Sequence, residues 1–500
     1  MDSIEDSPLY RIANPGSIAF FGASNSFASM GTSCLSSLLS MGYEGRVYPV
    51  HPSEETVQGL SAFASVEEIP EVPDLAIFVL PTKIVCEALE QCGKKGIRHA
   101  IVVTAGFREV GGEGHERERE LVEVADRYGI RFLGPNCIGV TNPHVKLNTT
   151  FMESPARPGY VGLASQSGSF VTQLFDYLDA RALGFSAAFS VGNAANVDLV
   201  DCMEYLGRCP NTKVIGLYIE GIARGRAFVE AARRITPRKP VVALYVGGSE
   251  TGKRAGMSHT GTMAGPDRLY DGIFRQSGIV RAHTLTELFD FCWVLGGLPG
   301  PAGNRVVVQT HSGGPGATAA DSCGRAGLEV PPLTETTLSR LAEYIPHTGS
   351  KNNPVDITFS KNPQDYFSAV PEILAGDANA DMFMSYYLVP DNMVKRPLMR
   401  MGVPEEEAGR KAAEWLVQQA DALAGIMKKV GKPFVGYTYR DLWECFPSEM
   451  VKRGIPMFSD PDRAARALAA MVRYMRMADR IDGQDGAAAK QDQQVGEAAS

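Results

Sequence analysis

The chain has 500 residues, 44% hydrophobic and 21% charged, with a net charge of −8, the make-up of a soluble globular protein of about three domains. Its acidic balance, with no basic stripe, excludes nucleic acid as the principal partner, and no apolar run of about 18 residues is present to cross a membrane. Nine cysteines without a CxxC pair or a His/Cys cluster indicate neither a disulfide framework nor a metal site, and the acidic start Met1-Asp2-Ser3-Ile4-Glu5-Asp6, where a secretory signal would be basic and then apolar, points to the cytoplasm.

From residue 10 to 148, strands and helices alternate. Ile18-Ala19-Phe20-Phe21 predicts a strand running into Gly22-Ala23-Ser24-Asn25-Ser26, with a helix over 31–41 behind it. Further strands are expected at 45–50, 75–80, 99–104 and 131–134, with helices over 84–95 and 116–128. This is the pattern of a parallel sheet with covering helices. A Gly/Ser turn between a strand and a helix N-terminus offers free N–H groups and the positive dipole end to a phosphate; glycines that only permit close strand-to-helix packing would look the same. The turn lacks the GxGxxG fingerprint and the second strand ends in Val50-His51-Pro52, not in an acid. A phosphate-bearing nucleotide other than NAD therefore fits better.

The second unit, 155–298, follows the turn-rich Ala156-Arg157-Pro158-Gly159. A strand over 160–164 ends in Ser165-Gln166-Ser167-Gly168, and Phe170, Leu174, Phe175 and Leu178 recur behind it at helical spacing. Those four residues are either a second anion site or an ordinary serine N-cap. Strands are expected at 184–191, 214–219 and 240–245. The middle one ends at Glu220, on the edge where open α/β sheets bind ligands; its carboxylate either orients a histidine ring or pairs with Arg224 or Arg226. The last strand leads to Lys253-Arg254-Ala255-Gly256-Met257-Ser258-His259-Thr260-Gly261. A histidine between two hydroxyl residues, surrounded by glycine and alanine, is either an inert loop residue or a nucleophile. As a nucleophile it needs an acceptor on one ring nitrogen; Glu220 could take Nδ1–H, leaving Nε2 to attack phosphorus while Ser165–Gly168 solvates the phosphoryl oxygens.

After the linker Leu298-Pro299-Gly300-Pro301-Ala302-Gly303, the third unit, 303–478, opens with a strand over 305–309 and a Gly-rich helix start, Ser312-Gly313-Gly314-Pro315-Gly316. A strand over 381–390, a helix over 405–424, a strand over 433–437 and a helix over 460–477 follow. Residues 482–500 lack apolar periodicity and are expected to be a disordered tail.

Gly22-Ala23-Ser24, Leu80-Pro81, Thr104-Ala105-Gly106-Phe107 and Gly134-Pro135-Asn136-Cys137-Ile138-Gly139 resemble, in order and spacing, the CoA-binding domain of ADP-forming acyl-CoA synthetases and the related succinyl-CoA synthetase α subunit. Ser258-His259-Thr260-Gly261 resembles the phosphohistidine loop of that family. The resemblance covers residues 10–478. It implies an α/β protein of three domains, a Rossmann-like CoA-binding domain followed by two flavodoxin-like CoA-ligase domains. It further implies that Gly22, Ala23, Ser24, Asn25 and Ser26 lie along the CoA phosphates, Val79, Leu80 and Pro81 against the adenosine or pantetheine portion, and Val103, Thr104, Ala105 and Asn136 nearer the thiol. His259 and Glu220 would be catalytic, and Ser165, Gln166, Ser167 and Gly168, with Gly313 and Gly314 from the third unit, would hold phosphate.

The implied enzyme is an α-type subunit that interconverts acyl-CoA, ADP and phosphate with a carboxylic acid, CoA and ATP through an acyl phosphate and a phosphohistidine. The third unit leaves no room for an ATP-grasp domain, so an ATP-grasp β-type partner carrying ADP/ATP and Mg²⁺ is expected, in a hetero-oligomer such as α₂β₂. Four positions depart from the family: His51-Pro52-Ser53 and Tyr245 stand where relatives often have lysine, Gly256 where they have alanine, and His311 where they have asparagine. A CoA-binding regulatory or scaffolding protein without turnover, or an NAD(P)-dependent reductase, remains open at this point.

Overall fold

The computed structural model describes residues 3–26, 28–153, 157–252, 265–358 and 362–498, with side chains up to residue 483. The α/β reading holds. The first sheet contains β1 (Ser17–Phe21), β2 (Arg46–Val50), β5 (Leu75–Phe78), β6 (His99–Val102) and β7 (Arg131–Leu133), all parallel in the order β2-β1-β5-β6-β7; β3 (Thr56–Val57) and β4 (Leu60–Ser61) form a separate hairpin. Both β1 and β5 are buried along their whole length, as strands covered on two faces must be. Ile18 and Phe20 enter one core and Ala19 and Phe21 another, the period-2 alternation of a strand. Each fully buried Ile or Phe contributes roughly 1.5–3 kcal/mol.

The second sheet contains β8 (Gly139–Asn142), β9 (Leu147–Asn148), β10 (Pro158–Ser165), β11 (Phe185–Ser190), β12 (Val214–Ile219), β13 (Val241–Tyr245) and β14 (Val280–Ala282), in the order β14-β13-β12-β10-β11-β8-β9. Its β10–β14 strands are parallel, and β8 and β9 are added antiparallel at the β11 edge. Residues 139–148, expected with the first unit, thus belong to the second sheet. Ile18, Phe20, Ile77 and Ile101 of the first sheet share one buried cluster with Phe189 and Ile215 of the second and with Met203 and Tyr205 of the helix Leu199–Arg208.

The third sheet, β15 (Val306–Thr310), β16 (Val355–Asp356), β17 (Met382–Tyr386), β18 (Phe434–Tyr437) and β19 (Met457–Phe458), is parallel in the order β16-β15-β17-β18-β19. The chain divides into two compact units. One is Met1–Asp179 with Leu183–Leu288 and Met477–Ser500; the other is Ala180–Ala182 with Phe289–Arg476.

Two expectations change. The helix behind Gly168 is split into Ser169–Thr172 and Phe175–Asp179; Val171 and Thr172 are β-branched, and Thr172 Oγ1 donates back to the Ser169 carbonyl at 3.3 Å, both of which weaken a helix. The stretch 482–498 is not a structureless tail but continues the last helix, Pro461–Ala498, in keeping with the high helix propensity of its Ala, Gln, Lys and Glu residues.

Candidate active site at three strand-order switch points

Counting only the parallel strands of each sheet in chain order, all three run 2-1-3-4-5. In such sheets the connections after strands 1 and 3 leave in opposite directions, and the crevice between their C-terminal ends is where ligands bind. The three crevices lie between the ends of β1 and β5, of β10 and β12, and of β15 and β17. The Gly/Ser turns singled out in the sequence sit at the first strand of each.

In the first crevice the chain turns at Gly22, φ +93°, where a Cβ would stand 2.0 Å from the Val79 carbonyl oxygen; a Cβ on Gly31 would stand 2.1 Å from the Gly22 carbonyl oxygen. These contacts pull the Met30–Ser40 helix onto the strand end, and the Ser29 side chain caps it by accepting from Thr32 N–H. Ser24 is tied to Thr32 (Thr32 Oγ1 to Ser24 O, 2.9 Å), and Ser26 N–H donates to Ser24 Oγ at 3.2 Å. The Asn25 side chain binds Glu54, the Thr56 carbonyl and Gln58 N–H, so it shapes the loop. Val79, Leu80 and Pro81 follow β5, and Thr104 Oγ1 bridges to Leu80 by accepting from its N–H at 3.1 Å and donating to its carbonyl at 2.8 Å. Asn136, at φ +57°, donates its N–H to the Thr104 carbonyl at 2.9 Å. The residues expected to hold CoA, Val103 and Ala105 among them, therefore share one sheet edge, with Ala23 and Val103 buried and Asn25, Ser26, Pro81 and Ala105 exposed.

In the second crevice the expected phosphate cradle is largely spent on the protein itself. Ser165 is fully buried; its hydroxyl donates to the Ser167 carbonyl (2.6 Å) and accepts from Ser167 N–H (3.2 Å). Gln166 Oε1 accepts from the N–H groups of Glu220 (2.6 Å) and Gly221 (3.0 Å), and Nε2 donates to the Gly221 carbonyl (3.0 Å). Gln166 is thus a structural clamp where a phosphate ligand was expected. Ser167 and Gly168 remain at the helix start, Ser167 Oγ lying 3.2 Å from Ser169 Oγ.

Glu220 is 9% exposed and its Oε2 finds no hydrogen-bond partner among the described residues. Arg224 does not neutralise it: the guanidinium is held by Asp198 and Asp201, and among the described residues no ion pair joins Arg226 to Glu220. A buried carboxylate oxygen without a partner is costly and fits a group kept for a ligand or an incoming side chain. His259 lies outside the described residues, as does the rest of 253–264.

Beside Glu220 a cleft of about 430 Å³ is lined by Arg108, Gln166, Asn193, Asp198, Gly221 and Tyr270, together with apolar side chains such as Phe228 and Leu269. Sequence reasoning missed most of these residues. Asn193 is fully buried; its side chain donates to Glu109 (2.7 Å) and Glu118 (2.8 Å) and accepts from Asn136 Nδ2 (3.2 Å), and its carbonyl accepts from Arg108. Burial opposes ionisation of Glu109, but the bond from Asn193 and the N–H groups of Gly106 and Phe107 outweigh it and hold the carboxyl below its ordinary value. Burial likewise opposes ionisation of Asp198, and the Arg224 bonds reverse that, whereas burial keeps its neighbour Asp201 raised. Tyr245, standing where relatives often have lysine, stacks on Tyr270 at 3.5 Å and donates its hydroxyl to the Gly265 carbonyl at 2.8 Å. The signal for Asn193 was present in Gly192-Asn193-Ala194-Ala195-Asn196, another Gly/Asn turn after a strand.

The third crevice repeats the second. Thr310 Oγ1 donates to the Ser312 carbonyl (2.8 Å) and accepts from Ser312 N–H (3.2 Å), the closure made by Ser165 and Ser167. Gly313 and Gly314 begin the Gly313–Arg325 helix, and Ser312 makes no side-chain cap, so their N–H groups are not capped by that side chain. His311 is held between Tyr366 and Tyr386, and its Nε2 accepts from Leu388 N–H at 3.1 Å. Burial pushes its pKa below the ordinary 6.5.

Residues 16–143 match the family described as CoA binding domain, and residues 158–295 the succinyl-CoA ligase like flavodoxin domain. The chain is 38% identical over 471 residues to the alpha subunit of acetate–CoA ligase (ADP-forming) II of Pyrococcus furiosus, covering 93% of this chain and 97% of that one. It is 36% identical to acetate–CoA ligase (ADP-forming) I of Archaeoglobus fulgidus, covering 94% of this chain but only 64% of the relative. Among solved structures, the dinucleotide-forming acetyl-coenzyme A synthetase 1 of Ca. Korarchaeum cryptofilum, in complex with phosphate and ADP, is 31% identical with a TM-score of 0.84, covering 95% of this chain and 98% of that one.

Proposed function

The chain belongs to the ADP-forming acyl-CoA synthetases, and from that premise we propose that it is the α-type subunit, binding CoA at the first crevice and carrying phosphate on His259 at the second. Phosphate oxygen attacks the thioester carbonyl, the C–S bond breaks, and CoA leaves with a proton as acyl phosphate forms. Nε2 of His259 then attacks phosphorus, the carboxylate leaves, and Glu220 accepts the Nδ1–H bond that supports the positive ring. The Ser167 hydroxyl and the Gly168 N–H contribute to holding the phosphoryl oxygens. The phosphoryl group passes to ADP, and the reverse sequence makes the thioester.

One observation carries this reading: Glu220 is buried at the switch point, is not paired with Arg224, and keeps Oε2 unpartnered. The nucleotide and its Mg²⁺ are assigned to an ATP-grasp partner chain in a hetero-oligomer. That assignment is supported by the Pyrococcus relative, which is named as one subunit, alpha, of its ligase. A cytoplasmic location fits CoA and ADP as substrates; among the described residues no helix is long and apolar enough to cross a membrane. Incubation with acyl-CoA and radioactive phosphate is expected to leave acid-labile label on the chain, lost in His259→Ala. Label that persists in that variant would move the nucleophile elsewhere, and titration that shows tight NADH binding instead of CoA binding would replace the reading with a reductase.

A further inference from the structure

We propose that Gln166 is the positioning residue for Glu220, an inference that rests on the role given to Glu220 above. The strand ladder between β10 and β12 ends with Gln166 N–H donating to the Tyr218 carbonyl at 3.2 Å. Beyond that point the backbone of β12 has no strand partner on this side, and the Gln166 carboxamide takes over. Its oxygen receives both N–H groups of the Glu220–Gly221 step, and its nitrogen donates to the Gly221 carbonyl. A side-chain amide that satisfies two donors and an acceptor fixes the peptide from which the Glu220 side chain projects. It does so in a buried setting, Gln166 and Glu220 each being 9% exposed, where a lost bond is not replaced by water.

The third sheet makes the same arrangement independently. Its register pairs Gln309 with Ser385 and so sets Thr310 opposite Tyr386, as Ser165 pairs with Tyr218 in the second sheet. Counting on from these pairs, His311 stands where Gln166 does and Leu388 where Glu220 does. There too the side chain after the strand-terminal hydroxyl residue accepts from the N–H of the facing position, His311 Nε2 from Leu388 N–H at 3.1 Å. The clamp is therefore a property of the crevice, and the acid it holds occurs in only one of the two copies. Clamping serves chemistry at Glu220; at Leu388 the same clamp holds a side chain with nothing to accept a proton.

The test compares rates of His259 labelling from acyl-CoA and phosphate in the full chain for Gln166→Met, Glu220→Gln and the double variant, with CoA affinity and unfolding temperature measured alongside. Misplacing a group by about 1 Å costs on the order of 100-fold, so Gln166→Met is expected to slow labelling by roughly 10- to 100-fold with CoA affinity unchanged. The double variant is expected to be no slower than Glu220→Gln alone, because the clamp acts through the acid. Gln166→His, which restores an acceptor as at position 311, is expected to recover most of the rate. Should Gln166→Met fail to fold, Gln166→Asn, one methylene shorter, takes its place. Wild-type labelling by the clamp variant beside a slow Glu220→Gln, or effects that multiply in the double variant, would overturn the positioning role alone. Wild-type labelling by Glu220→Gln would remove the role of Glu220 and the proposal with it.

Discussion

Glu220 concentrates the conflict between stability and chemistry at one residue. Leaving a buried polar oxygen unpartnered costs roughly 1–3 kcal/mol, so Glu220→Gln is expected to leave the melting temperature unchanged or raise it while slowing His259 labelling at least about tenfold. A lower melting temperature with unchanged labelling would make the residue structural. His311 supplies a pH signature. Its folded-state pKa lies below the ordinary 6.5 because burial disfavours the imidazolium, so the unfolded chain takes up the proton first as pH falls. Its contribution is fully present above about pH 6.5 and is lost as pH drops toward the folded-state value. The melting temperature should therefore fall between about pH 7.5 and about pH 5.5, and fall less in His311→Asn. The sequence singles out His259 and Glu220 as candidates because a histidine among glycines and a strand-terminal acid are local patterns. The role of Gln166 was not legible there, since its partners lie 54 and 55 positions away and only the fold brings them together.

Among the elements, the strand-to-helix turn at Gly22 combines a close backbone approach with a left-handed φ. An Ala there would force a Cβ to 2.0 Å from the Val79 carbonyl at a φ of +93°, so Gly22→Ala is expected to cost about 2 kcal/mol or more and to weaken CoA binding in an isothermal titration; a variant of wild-type stability and affinity would show the turn to be slack. Strands such as β1 and β5 were readable because burial on both faces writes an uninterrupted apolar run. The antiparallel pair β8 and β9 was not, because Thr141, Asn142 and Asn148 are buried in it. Those polar groups are tolerated where they find partners, as Asn142 does by donating to the Ala13 carbonyl at 2.9 Å, and such pairing leaves no periodic trace.

On the scale of the whole molecule, labelling and discharge should separate. The chain alone is expected to take label from acyl-CoA and phosphate and to lose it to ADP slowly; adding an ATP-grasp partner should accelerate discharge, and chelating Mg²⁺ should abolish that acceleration. Rapid discharge to ADP by the chain alone would place the nucleotide site here. The three sheets could be anticipated from alternating strands and helices, whereas the repetition of one strand order, and hence of one crevice, became visible only in the fold.

The buried cluster shared by the first two sheets, with β8 and β9 following the first sheet in the chain but forming the edge of the second, governs how such a protein can be recombined. A chimera of two relatives joined near residue 148 would take the antiparallel edge of the second sheet from one parent and its remaining strands from the other, across a core whose side chains come from both. A junction in the 298–303 linker, where Pro299, Gly300 and Ala302 are exposed, leaves that cluster intact. Acyl-CoA synthetases assembled by exchange at the linker should express as folded protein, and those joined at 148 should aggregate.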